Sequence, residues 1–226
     1  MPRHSKSTRR ERRRRRELAI VTATRTLLDE QGRRDPSVER IAHSAGLSKP
    51  DVYRSFESKE EIFALTLVDY LVELEERSAE ASEPEDPIAA LREACLRYVD
   101  FCLEHPAFVD YSLSLLGRPT EELREQISDS IWRRLGAALA ACAGRLERIL
   151  AAGAEQEAFA VADPAFRTNL LSAQILGSIQ LARAGVGVHE AAPGAAGAFE
   201  LEPARLRDAC VEGALAVVGI PKEAAR

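Results

Sequence analysis

Cysteine, histidine and long apolar runs are scarce in this chain, and each scarcity excludes a class of function. Its four cysteines, Cys95, Cys102, Cys142 and Cys210, are too few and too widely spaced for a disulfide scaffold. None forms a C-x-x-C pair or lies near a histidine at zinc-ligand spacing, and no two histidines fall at i, i+4 on one helix. No metal site is expected, and the thiols read as reduced side chains of a cytoplasmic protein. Cys95 and Cys102 are seven residues apart beside Leu91, Tyr98 and Val99, which predicts core packing. No apolar stretch approaches the roughly 20 residues that span a bilayer, so no membrane partner is expected. The basic start has no apolar run behind it and is not a secretory signal. No Ser-His-Asp order, glycine-rich phosphate loop or paired-carboxylate motif stands out, so neither an enzyme nor a bound cofactor is expected.

What is present is a globular composition with a split charge. Apolar residues make up 46% of the 226 and charged residues 30%, enough to fold and to bury a core. The net charge of −5 hides two opposite parts. Residues 1–59 hold 16 Lys/Arg against 8 Asp/Glu, and residues 60–226 hold 15 against 28. A basic start on an acidic body points to an N-terminal segment that meets a polyanion. The run Arg12–Arg16 alone is equally well read as a solvated tail.

Apolar residues recur at three and four, which says helix throughout. Residues 1–10 read as a disordered basic tail. A first helix carries Ile20, Ala23, Leu27 and Leu28 and stops at Gly32. A second opens at Pro36-Ser37 with Val38, Ile41, Ala42 and Ala45 on its stripe, and Gly46 ends it. Ser48-Lys49-Pro50-Asp51 then reads as another helix start, and Ser58-Lys59-Glu60-Glu61 as a capping box opening a fourth helix. The acidic, proline-containing segment 78–87 marks a seam. Beyond it the pattern predicts helices over 87–104 and 106–116, and one of about thirty residues through Ile127, Ile131, Leu135, Cys142 and Ile149. Further helices are expected over 163–185 and 203–219, with 186–202 between them as a mobile loop. The expected divisions are a tail at 1–10, a head at 11–60 and a body at 61–226.

Helices two and three are short and joined by a tight glycine turn, which is the helix-turn-helix plan. That geometry needs a glycine at the turn, small residues where the helices cross, and polar residues on the outer face of the second. Gly46, Ala42 and Ala45 meet the first two needs. Ser48, Lys49, Asp51, Arg54 and Ser55 meet the third. Residues 37–63, S-V-E-R-I-A-H-S-A-G-L-S-K-P-D-V-Y-R-S-F-E-S-K-E-E-I-F, agree in register with a family pattern. They resemble the DNA-binding domain of the tetracycline-repressor (TetR) family. The resemblance covers roughly residues 16–70. It implies an all-α protein, with an N-terminal three-helix helix-turn-helix domain and a C-terminal helical domain for ligand binding and dimerisation. It implies a homodimeric regulator of transcription on double-stranded operator DNA, in most family members a repressor released by a small ligand. Pro50-Asp51 departs from the family, which usually has small or hydroxyl residues there.

Chemistry assigns roles to the matched residues. Ser37 and Ser48 lie at helix N-termini, where hydroxyls and free N–H groups hold phosphates. Tyr53 is expected to put its ring in the domain core and its hydroxyl on a phosphate. Lys59 opens the fourth helix, and the resemblance makes it a phosphate clamp. Lys49, Asp51, Arg54 and Ser55 are the candidates for reading bases, with Asp51 either accepting from cytosine N4 or capping its helix. The arginine segment 9–16 tracks phosphates or enters the minor groove.

Two further sites are expected in the body. Tyr70, Tyr98, Phe101, Phe108, Tyr111 and Trp132 could line an apolar cavity, with Gln126, Asn169 or Gln174 as polar anchors; an ordinary core would show the same aromatic spacing. No basic lining is evident in the sequence, so the expected effector is small and hydrophobic. The 163–185 helix is apolar all round and must bury two faces. Leu170, Ala173, Gly177 and Leu181, with Leu206 and Cys210 of the last helix, are the expected dimer interface, a four-helix arrangement. The competing reading is a helical interaction module whose basic tail binds RNA or acidic lipid. It accounts for the arginines but not for residues 37–63.

Overall fold

The computed structural model describes residues 3–31, 35–80 and 84–220. Among them lie ten helices and one hairpin. In order they are α1 (Arg3–Gln31), α2 (Val38–Ser44), α3 (Lys49–Tyr53), α4 (Lys59–Glu80), α5 (Pro87–Glu104) and α6 (Pro106–Leu116). Then follow α7 (Thr120–Gln126), α8 (Asp129–Glu155), α9 (Pro164–Arg183), β1 (Val186–Ala192), β2 (Ala195–Glu200) and α10 (Pro203–Val218). Gly32, expected to cap the first helix, and residues 81–83 of the acidic seam lie outside the described residues. The chain forms two compact units, one of Met1–Val72 with Pro106–Leu139, the other of Glu73–His105 with Ala140–Arg226. No described helix is long and apolar enough to cross a membrane.

The first unit closes over the apolar stripes predicted by spacing. Ile20, Ala23 and Leu28 of α1, Val38, Ile41 and Ala42 of α2, Val52 of α3, Phe56 and Ile62 are all buried. Each large aliphatic or aromatic chain so enclosed contributes about 1.5–3 kcal/mol. Two buried threonines satisfy themselves within their own helices. Thr24 donates to the Ile20 carbonyl at 2.8 Å and Thr66 to that of Ile62 at 2.9 Å. Polar contacts tie α1 to α4. Arg25 pairs with Asp69 at 2.8 Å and lies 4.2 Å above the Tyr70 ring, while the Tyr70 hydroxyl donates to Asp29 at 2.6 Å.

In the second unit, Leu91, Cys95, Val99 and Cys102 form one stripe of α5, each at most 2% exposed. Leu171, Ile175 and Ile179 of α9 and Cys210, Val211, Ala214 and Val218 of α10 are buried too, as these three helices pack together. Burial pushes the Cys95 thiol up to about 12, so the cysteines act as small apolar side chains.

Four sequence expectations need correction. Helix α1 begins at Arg3, so residues 3–10 of the expected tail are helical rather than unstructured; arginine is a good helix former and no proline follows Pro2 before residue 36. The thirty-residue helix is two helices. Ile127 is extended between α7 and α8, at φ −129° and ψ 145°. The apolar period runs across the break because Ile127 and Ile131 are both buried on either side of it. Residues 186–200 form an antiparallel hairpin rather than a mobile loop. Pro193-Gly194 makes its turn, with Gly194 at φ +76°, and the Phe199 ring lies where a side chain on Gly187 would be. The last correction concerns α10. Cys210 is 2% exposed and faces the interior of its own unit, so it is not part of an open face.

Candidate nucleic-acid interface

Helix α2 starts at Ser37, whose side chain accepts from the Arg40 N–H at 3.3 Å. It ends at Gly46, where φ of +66° needs a residue without a β-carbon penalty. The Leu47 N–H returns to the Ala42 carbonyl at 2.9 Å and closes the turn. Ser48 then opens α3 with a reciprocal cap. Its hydroxyl accepts from the Asp51 N–H and the Asp51 carboxylate accepts from the Ser48 N–H, both at 3.3 Å. Lys49 and Pro50 fill the first turn, where a missing N–H costs nothing. The resulting reading helix has five residues.

Its outer face carries Lys49, Pro50, Tyr53 and Arg54, all exposed. Asp51 is half-buried and caps. Hydrogen bonds from Ser48 and then from the Arg54 guanidinium hold its carboxyl down at about 2. Of the two roles weighed for Asp51, the cap is the one that this structure uses. Ser55 is only 8% exposed, with its hydroxyl 3.5 Å from the Asp51 carbonyl, so it is turned away from the face that could read bases. Tyr53 is 49% exposed. Its ring stands in solvent with the Lys49 ammonium 5.9 Å above it, rather than in the domain core. Val52 and Phe56 occupy the core instead, at 0% and 1% exposure.

The cations of this face are held by carboxylates, of which sequence reasoning singled out only Asp51. Lys49 of α3 pairs with Glu39 of α2, and their mutual hydrogen bond lowers the glutamate and raises the lysine. Arg54 pairs with Asp51. Lys59 pairs with Asp35 at 2.7 Å and lies 5.1 Å above the Phe63 ring. Opposite charges ten and twenty-four residues apart give no periodic signal, so only the fold brings them together. Lys59 stands in the first turn of α4, whose Glu61 N–H is capped by the Ser58 hydroxyl at 3.1 Å. The reciprocal half of that box is shifted, since the Glu61 carboxylate accepts from the Glu57 N–H at 2.7 Å.

The expected ligand-site residues divide between the units. In the first, Tyr70 and Phe108 are fully buried with ring centroids 6.1 Å apart, and Tyr111 stacks on Phe63 at 4.8 Å. Trp132 lies under Arg124 at 5.6 Å. Gln126 is exposed, and its side chain accepts from Arg118 at 3.1 Å. In the second, Phe101 stacks on His105 at 4.6 Å, and burial pushes the Tyr98 hydroxyl far above its usual range. Asn169 and Gln174 are exposed on α9 and cannot anchor a ligand inside that unit. Asn169 donates back to the Ala165 carbonyl at 2.9 Å. Of the expected interface, Leu170, Ala173, Gly177 and Leu181 lie on one exposed stripe of α9 with Phe166, and Leu206 is half-buried.

The comparisons agree with this geometry. A profile for "Bacterial regulatory proteins, tetR family" matches residues 20–65, from the middle of α1 into α4. The HTH-type transcriptional regulator EthR of Mycolicibacterium smegmatis is 29% identical over 160 residues, 70% of this chain and 71% of that one. Among solved structures, RolR in complex with resorcinol superposes with a TM-score of 0.68 at 17% identity, covering 95% of this chain and 92% of the other. A bacterial regulatory protein of the tetR family from Rhodococcus RHA1 superposes with a TM-score of 0.63 at 17% identity, over 92% and 98%. With a capped helix-turn-helix, a matching profile and relatives of this kind, the chain is a DNA-binding transcriptional regulator of the TetR family.

Proposed function

We propose that the chain is a homodimeric repressor that reads an operator through α3 and is released by a small hydrophobic effector. The observation that carries the reading is the outer face of α3. Arg54 and Lys49 are exposed there on a helix that is capped at its start and fixed from behind by Val52 and Phe56. An arginine bidentate on guanine discriminates by about 1–3 kcal/mol. Lys59, at the next helix start, is suited to hold a phosphate. The expected contacts are therefore Lys49 and Arg54 on bases, and Ser37, Ser48, Tyr53 and Lys59 on the backbone.

The test compares two variants on two duplexes. Arg54→Ala should lower affinity for a duplex enriched by the wild-type chain from a random library while leaving scrambled DNA nearly unchanged. Lys59→Ala should weaken both alike and lower the salt slope by about one. Equal losses on both duplexes from both variants would remove Arg54 from base reading.

Dimerisation is supported by the exposed apolar stripe Phe166, Leu170, Leu181 on α9, since a helix with this much open apolar surface gains by pairing. The effector reading is supported by the aromatic and aliphatic interior around Tyr98 and Phe101. An effector that releases DNA must bind the DNA-free state better, and operator must weaken its binding by the same factor. Effector titrations followed by Trp132 fluorescence, with and without saturating operator duplex, should give unequal dissociation constants; equal constants for a compound that relieves repression would reject release by this route.

A further inference from the structure

The cations of the reading head and those of α1 differ in one respect. Lys49, Arg54 and Lys59 each already hold a carboxylate, from Glu39, Asp51 and Asp35. Arg10, Arg12, Arg14, Arg15 and Arg16 of α1 are exposed, and none of them forms an ion pair with a described residue. This arginine segment is not remote from the interface. The charge of Arg13 is felt at Glu61, two residues from Lys59, and farther along the helix Glu17 pairs with Arg134 at 2.5 Å. Arg13 thus lies within electrostatic reach of the helix start that carries the candidate phosphate clamp.

Pairing decides what each cation gains from DNA. A lysine bound to a glutamate must exchange one anion for another to reach a phosphate, and the displaced carboxylate then repels that phosphate. On a random duplex the exchange gains little. On a matching sequence Arg54 and Lys49 gain hydrogen bonds to base edges that the carboxylates cannot supply. These arginines of α1 hold no carboxylate among the described residues to exchange, and gain counterion release on any sequence.

We infer that sequence-independent DNA affinity resides chiefly in the arginine segment of α1, with Lys59 supplying a smaller share that Asp35 holds down, and that Glu39 and Asp51 suppress it on α3, so that α3 adds affinity only at a matching sequence. The inference rests on the reading of α2 and α3 as the head that contacts bases. Successive residues of a helix are about 100° apart, so Arg12–Arg16 encircle it and two or three face one duplex at a time. Their expected share of the salt slope is therefore about 2.

The experiment uses the full chain with Arg12, Arg14, Arg15 and Arg16 all changed to alanine, its all-lysine counterpart, and the double variant Asp35→Asn/Glu39→Gln. The probes are a duplex enriched by the wild-type chain from a random library and a scrambled duplex of equal length, titrated between about 50 and 200 mM salt. The alanine variant should lose affinity on both duplexes and lower both slopes by about 2, a loss of about tenfold in the gain that low salt brings. Its preference for the enriched duplex should persist. The lysine variant should keep the slope, which separates charge from any change in α1. The acid variant should gain severalfold on scrambled DNA and less on the enriched duplex. An alanine variant with unchanged slope on scrambled DNA overturns the inference, as does an acid variant with an unchanged ratio. A wild-type chain that enriches no sequence at all overturns the reading of the head, and this inference with it.

Discussion

The carboxylate of Glu61 accepts the backbone N–H of Ser128 at 2.9 Å, joining the first turn of α4 to the break between α7 and α8. Beside it the Ser58 hydroxyl donates to the Gln126 carbonyl at 2.8 Å. The helix start that carries Lys59 is thus latched to the 126–128 segment by two hydrogen bonds, and Glu61 is 2% exposed there.

Acid should open this latch. Burial pushes the Glu61 carboxyl up, but hydrogen bonds from Ser128 and from the Glu57 N–H, with the charge of Arg13, outweigh it and leave the group below the usual glutamate value. A group depressed by folding contributes stability that is whole above its unfolded value and is lost as pH falls through its folded one. Urea unfolding of the wild-type chain should therefore weaken below about pH 4.5, the ordinary glutamate range. Glu61→Gln should cost about 1–3 kcal/mol at neutral pH, because it weakens the buried acceptor of two part-buried N–H groups. It should also flatten the acid limb. Parallel acid limbs for the two proteins would show that Glu61 does not carry it.

The head was legible in the sequence and the pairing of its charges was not. Ser37, Gly46, Ser48 and Asp51 act locally, within four residues, so caps and turn can be read directly from spacing. Glu39 with Lys49 and Asp35 with Lys59 need the tertiary fold. Tyr53 and Ser55 show the limit of pattern reading on a short helix. Five residues make less than one and a half turns, so no stripe repeats to fix which face is inner, and it is Ser55, just past the helix, that turned inward while Tyr53 turned out. The hairpin was obscured by composition. V-G-V-H alternates, yet its small partners are glycine and alanine, poor strand formers, and the strands depend on Phe199 covering Gly187 and His189 covering Gly197. Cys210 shares the buried stripe of α10 with Ala214 and Val218, a stripe that spacing alone does not assign to the unit's own core or to a partner.

The second unit offers a strict packing test at Gly153. A β-carbon there would lie 2.1 Å from the ring of Phe159, which is 4% exposed and cannot swing away into solvent. Alanine gains about 1 kcal/mol over glycine inside a helix. Overpacking a closed core typically costs about 1–3 kcal/mol, and a contact this short belongs at the upper end. Gly153→Ala should lower the thermal midpoint despite its better helix propensity. Adding Phe159→Leu should restore part of the loss, a coupling that double-mutant analysis would read as a non-additive gain. A Gly153→Ala chain as stable as wild type would mean that Phe159 repacks freely.

Gly177 gives the opposite case, a glycine whose added side chain meets nothing. No heavy atom lies within 4 Å of a β-carbon built there, and the residue is exposed on the α9 stripe between Ala173 and Leu181. Within one chain, leucine at this position is unopposed and favours the helix by about 0.8–1 kcal/mol over glycine. In the proposed dimer, close approach of a second copy along Phe166, Leu170 and Leu181 would favour glycine here despite this cost. Gly177→Leu should therefore raise or preserve the thermal midpoint of the monomer while shifting sedimentation from dimer towards monomer at low micromolar concentration. Operator affinity should fall with it, because two heads about 34 Å apart are needed to meet successive major grooves. A monomeric variant that is also unfolded would point to damage inside the chain, which the open surroundings of Gly177 argue against. A stable, fully dimeric Gly177→Leu chain would place the interface away from this stripe.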